Sequence, residues 1–177
     1  IWEISAFDQY GKTGPMPPPM PQSNSLSKML GTNGIWGWGH SVYSDLLAPG
    51  QGPFQHNRIA RHARNYHNLN WDIADPDDIP DFNGMPGSLA QWWLDWDREY
   101  EVWDSANLAV FASIQFSNAT QPEISWDNPY QAAYNYGYAF ASHFGPGVGN
   151  GLVKRIEVGN EPWDYPAAFY REILQGM

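Results

Sequence analysis

From Leu30 onward the chain alternates short apolar runs with stretches whose apolar residues recur at helical spacing, and this rhythm predicts strand, loop and helix in repeated order. Such repetition is the signature of parallel βαβ units. The first strand is expected over Lys28 to Gly34, followed by a helix near Phe54 to His62 and a second strand over Ala63 to Leu69. Ser88 with Gln91 reads as a capping box, and Leu89, Trp92, Trp93, Trp96, Tyr100 and Trp103 follow on one helical face. Leu108 to Phe116 is apolar at both parities, as suits a strand covered on both sides. Asn128 and Pro129 form a helix start, and Tyr130, Ala133, Tyr134, Gly137, Tyr138, Ala141 and Phe144 are expected on its buried face until Gly145-Pro146 ends it. Val153 to Gly159 is the fourth strand and Pro166 to Gln175 the next helix.

Before this pattern begins, the segment PMPPPMPQSNS holds five prolines, which remove backbone donors and exclude helix or central strand. Residues 1–29 are therefore expected to be an extension with a Pro-rich connector, and residues 30–177 one α/β domain. Opening at Ile1 rather than Met is expected of a chain processed or cut from something longer.

Composition narrows the partners. Hydrophobic residues make up 42% of the chain and charged ones only 16%, enough for a real core. A formal charge of -10 disfavours nucleic acid and anionic membrane surfaces as partners, so no nucleic acid and no membrane are expected. No run approaches the roughly 20 apolar residues of a membrane helix. The absence of Cys excludes thiolate metal sites, disulfides and Cys nucleophiles. Ten Trp, ten Tyr and eight Phe exceed what a core of this size needs, and flat amphipathic rings stack well on sugar faces. A neutral carbohydrate substrate and a secreted or extracellular setting fit this balance.

The most informative segment is RIEVGNEPW. A strand ending in Gly159-Asn160-Glu161-Pro162 puts a carboxylate at the C-terminal rim of a parallel sheet, where barrel enzymes assemble their sites. By strand parity, Glu157 and Gly159 share the inward face while Ile156 and Val158 turn toward helices. Glu157 then needs a cationic partner such as Arg. The plain alternative is a capping turn, with Asp164 at the start of the helix near Pro166.

With three βα units upstream of it, this segment resembles the clan A glycoside hydrolases, (β/α)8 TIM barrels in which Asn-Glu-Pro ends the fourth strand. The resemblance implies that the chain holds the first four βα units, a partial barrel, with Glu161 as general acid/base and Asn160 bonded to substrate. It implies a retaining glycosidase acting on an oligo- or polysaccharide, in which a second carboxylate about 5 Å away attacks the anomeric carbon. That nucleophile would come from the seventh strand, outside this chain, so the remaining half of the barrel is expected from a continuation or a second chain. No cofactor is required by this chemistry. A noncatalytic carbohydrate-binding or structural protein on the same scaffold is the alternative.

Further substrate-binding candidates lie where the predicted strands end: Trp36, Trp38 and His40 after the first, with Asn33 beside them, His67 and Asn68 at the second, Gln115 and Asn118 at the third, and Trp163 after the fourth. For each, structural packing is the competing reading. Arg64 resembles the clan's second-strand arginine, which would orient the nucleophile; the alternative is an Arg on a helix's solvent face. In DIADPDDIPDFNG, the carboxylates Asp75, Asp77 and Asp81 are candidates for a structural calcium, against a solvated acidic turn.

Overall fold

The structure, a computed structural model, describes residues 26–33, 52–73, 75–83, 95–116 and 127–177. Short helix α1 (Leu26–Met29) leads into β1 (Gly31–Asn33), and α2 (Gly52–His56) precedes β2 (His62–Asn68). One helical turn, α3 (Leu69–Asp72), follows directly, and α4 (Trp96–Ser105) leads to β3 (Ala109–Gln115). The long helix α5 (Pro129–Phe144) returns to β4 (Val153–Val158), and a 3-10 turn (Pro162–Asp164) joins it to α6 (Ala167–Gly176).

All four strands are parallel and lie in the order β1-β2-β3-β4, so each new strand is added beside the last. The fold is mixed α/β. One register shift, between Val110 and Phe111, interrupts the pairing of β3 with β4.

The helices gather on one face. In-register positions Ala63 and Val110, Asn65 and Ala112, and His67 and Ile114 point to the same side. There the apolar members of this set join Trp96, Tyr100 and Trp103 of α4, Tyr136, Phe140 and Phe144 of α5, and Ile173 of α6 in one core. Arg64, Tyr66, Phe111, Ser113 and Glu157 take the opposite parity, and none of them belongs to that core.

Local signals explain the best-defined elements. Asn128 caps α5 by accepting from the Gln131 amide at 3.1 Å, and Pro129 occupies the first turn, where its missing N–H costs nothing. Asp95 caps α4 by accepting from the Arg98 amide at 3.0 Å. The capping box proposed at Ser88 and Gln91, and Leu89, Trp92 and Trp93, lie outside the described residues. So does the Pro-rich segment before residue 26.

Several expectations need correction. Residues 26–29 are helical rather than the start of a strand, because Leu, Ser, Lys and Met hold no β-branched residue and Leu30 N donates back to the Leu26 carbonyl. The helix expected to reach His62 stops at His56, and Arg61 N instead donates to the Leu30 carbonyl, setting up the β1–β2 pairing. Leu69 has left β2 and opens α3. On α5 the buried side is Ala132, Ala133, Tyr136, Phe140 and Phe144, while Tyr130, Tyr134 and Tyr138 face outward. The rows lie close around the helix, and the phenol hydroxyls let the second one rest in water.

A polar group lies inside the helix-side core. His67 Nε2 meets Asp72 Oδ2 at 2.5 Å, its Nδ1 meets the Tyr100 hydroxyl at 2.8 Å, and the Tyr136 hydroxyl donates to the same Asp72 oxygen at 2.6 Å. Burial, reinforced by the Asp72 charge, pushes both phenols well above their ordinary pKa, so both keep the proton they share. The imidazole also stacks on Trp96 with centroids 3.9 Å apart. Asp72 Oδ1 has no partner among the described residues, which makes its bonded oxygen the one that stabilises the burial. Tyr136→Phe is therefore expected to lower stability by about 2 kcal/mol, the range for a buried bond to a charged acceptor. The check is a urea midpoint that falls with an unchanged slope; a midpoint equal to the parent's would show that the bond contributes nothing.

Candidate functional site

The turn after β4 is built from two left-handed residues. Gly159 has φ 76° and Glu161 φ 50°, and Pro162 then fixes the first position of the 3-10 turn. At Gly159 no side chain would fit: a Cβ would lie 3.1 Å from the Tyr170 ring and 3.4 Å from the Tyr165 ring. Its amide still donates to the Ile114 carbonyl at 2.7 Å, so the β3–β4 ladder runs up to the turn. Glu161 has no such excuse. A Glu in the left-handed region stores strain on the order of 1–3 kcal/mol, which the surrounding structure must over-determine.

Two tyrosines supply that constraint. The Tyr165 hydroxyl donates to the Phe116 carbonyl at 2.9 Å, and the Tyr170 hydroxyl donates to the Val158 carbonyl at 2.8 Å. Their rings stack at 5.9 Å and 17°, and Phe169 extends the stack at 6.1 Å from Tyr165. Burial raises the Tyr165 pKa, which keeps its donor proton in place. The ends of β3 and β4 are thus clamped from beneath the turn.

On the face away from the helices, Arg64 of β2 gathers groups from the other three strands and the turn. Its Nε donates to Glu157 Oε2 at 2.8 Å and its Nη2 bonds the same oxygen. Nη2 also donates to Ser113 Oγ at 3.0 Å and to Asn160 Oδ1 at 2.8 Å, and Nη1 to Asn33 Oδ1 at 3.1 Å. The guanidinium carbon lies 5.3 Å from the Tyr66 ring centroid, within cation–π range. Glu157 thus has the cationic partner its parity demanded. Arg64 lies on the strand and not on a helix's solvent face.

Because Arg64 holds the oxygen of the Asn160 amide, the amide NH₂ is turned away from the guanidinium as a donor. Glu161 beside it is exposed, and while its carbonyl accepts from the Asp164 amide at 3.0 Å, its carboxylate makes no hydrogen bond or ion pair among the described residues. The arrangement offers a neutral donor and a carboxylate side by side at the C-terminal end of the sheet, with a fixed positive charge behind them. Such a set can grip a hydroxyl oxygen and exchange a proton with a neighbouring one.

The remaining candidates divide. Gln115 closes β3 on the Arg64 side, in register with Asn68 at the end of β2. Trp163 stands in the 3-10 turn, 76% exposed. His67, expected at the rim, is fully buried on the helix side, because strand alternation gives it the parity of Ala63 and not of Arg64. Trp36, Trp38, His40 and Asn118 lie outside the described residues. Asp164 does not cap α6, whose N-cap is Pro166 without a side-chain bond.

Around the calcium candidates Asp75, Asp77 and Asp81, no group of three metal-ligating side chains converges among the described residues. Instead Asp75 Oδ1 accepts from the Asp77 amide at 3.1 Å, Asp78 from the Asp75 amide at 2.8 Å, and Asp81 from the Asn83 amide at 3.0 Å. These carboxylates serve as turn acceptors. Ser113, Tyr165 and Tyr170 are site-building residues that motif reading passed over; the Tyr165, Phe169 and Tyr170 spacing after Glu161 was the available signal.

Opposite stability effects are expected at the two left-handed residues. Gly159→Ala should cost about 1–3 kcal/mol and Glu161→Gly should gain about 0.5–1 kcal/mol, since only the second relieves strain. Thermal midpoints of both variants test this, and a destabilised Glu161→Gly would show that the carboxylate makes a stabilising contact. Compared with protein-family models, with characterised proteins and with solved structures, the chain matches none.

Proposed function

We propose that the chain is the N-terminal half of a (β/α)8 barrel in a glycoside hydrolase that cleaves an oligo- or polysaccharide by a retaining mechanism, with Glu161 as general acid/base. The observation that carries this reading is the strained turn: an exposed glutamate held at positive φ, next to an asparagine whose amide oxygen is gripped by Arg64. Strain of this kind persists where geometry at a reacting group matters more than stability. Asn160 would then donate to a ring hydroxyl and Glu161 to the glycosidic oxygen.

The sheet supports the barrel. Sequential strand order with α3, α4, α5 and α6 on one face, among the described residues, fits the singly wound pattern, whereas doubly wound sheets reverse direction and carry helices on both faces. Arg64 supports the site, since its arm reaches past Ser113 to meet Glu157 two strands away, a span of about 10 Å between strand axes. Once the nucleophile from the remaining half is present, the cationic hub lies behind the reacting carbon and stabilises the paired carboxylates.

The decisive measurement is release of reducing sugar from a panel of neutral glycans by the complete catalytic domain that contains this chain. Glu161→Gln is expected to lower the rate by about 10²–10⁴ while leaving the fold intact. Full activity in that variant refutes the role of Glu161, and absence of release by the parent on every glycan favours the noncatalytic binding protein.

A further inference from the structure

Tyr130, Tyr134 and Tyr138 stand four residues apart on the outer side of α5, with 46, 49 and 67% of their surfaces exposed. Each step along this row is about 6 Å of helix rise. The rings of Tyr134 and Tyr138 lie 6.3 Å apart and within 23° of parallel, a stacked pair. Beside them Gln131 Nε2 donates to Asn135 Oδ1 at 2.8 Å, which leaves the outer amide groups of these two residues facing solvent next to the rings.

The helix is also free of formal charge. PYQAAYNYGYAFASHF contains no Asp, Glu, Lys or Arg, in a chain that carries 19 acidic and 9 basic residues. Surface helices ordinarily turn a charged side to water. A stepped row of amphipathic rings flanked by amides, on a helix that itself holds no Asp, Glu, Lys or Arg, matches a ligand that is neutral and rich in hydroxyls. A polyanion or an anionic membrane has nothing here to pair with. A second copy of this chain would bring another formal charge of -10 against the first.

We propose that this tyrosine row is a second glycan-binding surface, on which successive pyranose rings of an extended neutral polysaccharide stack while Gln131 and Asn135 bond their hydroxyls. α5 follows β3 and begins at the end of the sheet where β3 stops, so Tyr130 is the member of the row nearest the Glu161 end. A bound polysaccharide would thereby be kept close to that end without occupying it. The surface shares a ligand class with the reading of Glu161 but no residue, so the two stand or fall separately.

The test is depletion from solution of the complete domain that contains this chain by insoluble cellulose, mannan and galactan, with alginate as the anionic control. Binding to at least one neutral glycan is expected, weakened about tenfold or more in the Tyr134→Ser, Tyr138→Ser double variant. The Tyr134→Phe, Tyr138→Phe double variant should stay within about threefold of the parent, because stacking needs the ring and not the hydroxyl. The single variant Tyr138→Ser, altering the most exposed ring, provides the same comparison should the double Ser variant fail to fold. Failure to bind any neutral glycan, equal binding by the folded Ser variants, or tighter binding to alginate overturns the proposal. So does a dimer in sedimentation that the Ser variants dissolve, which would assign the row to a second copy.

Discussion

The face of the sheet that carries the candidate chemistry is tied together by one guanidinium. Arg64 bonds Asn33 of β1, Ser113 of β3, Glu157 of β4 and Asn160 of the following turn, so a single side chain spans all four strands. A partly exposed ion pair by itself contributes little. Here the charge is bonded from several directions at once, and a planar fork loses less freedom per bond than a lysine would. Every other member of the group depends on this placement: Glu157 on the open face needs a cation, and the orientation of the Asn160 amide is set by which of its atoms Arg64 binds.

The opposite face holds the turn in place by different physics. Tyr165 and Tyr170 send their hydroxyls to the Phe116 carbonyl just past β3 and to the Val158 carbonyl that ends β4, while their rings close over Gly159, whose missing Cβ allows the approach. These bonds satisfy strand-end carbonyls that would otherwise turn to water. They also transmit the rigidity of α6 to Glu161, so the strained residue is held by a stacked, hydrogen-bonded support rather than by its own contacts. Further along the helix side, Asp72 with His67 and Tyr136 plays the corresponding part for the end of α3, fixing a short turn that would be marginal alone.

What was legible in the sequence follows from how local each signal is. Asn128-Pro129 and the apolar run of β3 specify their elements within a few residues, and the structure places them within one residue of expectation. The face of α5 was not legible, because Tyr counts as apolar in a periodicity yet tolerates water, and the stripe through Tyr130, Tyr134 and Tyr138 competes with the one through Tyr136 and Phe140. Strand parity in β2 failed as a guide for a related reason. Asn65 and His67 are polar but buried, while Tyr66 is aromatic but lies beside Arg64 on the open side, so polarity gives the wrong alternation. Only partners distant in sequence, Trp96 and Asp72 for His67 and Glu157 for Arg64, decide it. In the aspartate-rich loop short spacing serves turn acceptors as well as it serves a cation, so spacing does not decide between them.

A parallel sheet is ordinarily covered on both sides, because its crossover connections lay helices against it and its strands carry apolar residues at both parities. Among the described residues this one is covered on one side only, and the other side mixes Phe111 and Tyr66 with Arg64, Ser113 and Glu157. A layer of helices on that side would bury the Arg64–Glu157 group at a large desolvation cost. Closure of the sheet on itself removes the difficulty, since a barrel interior is filled by its own side chains and its rim stays wet. With 22% of the Arg64 side chain and 37% of the Glu157 side chain exposed, partial hydration offsets the cost of crowding two charges together. The same geometry that makes this face awkward in an open sheet therefore suits it to the inner face of a closed one, and the proposed barrel rests on the Arg64 group as the proposed site rests on the strained turn.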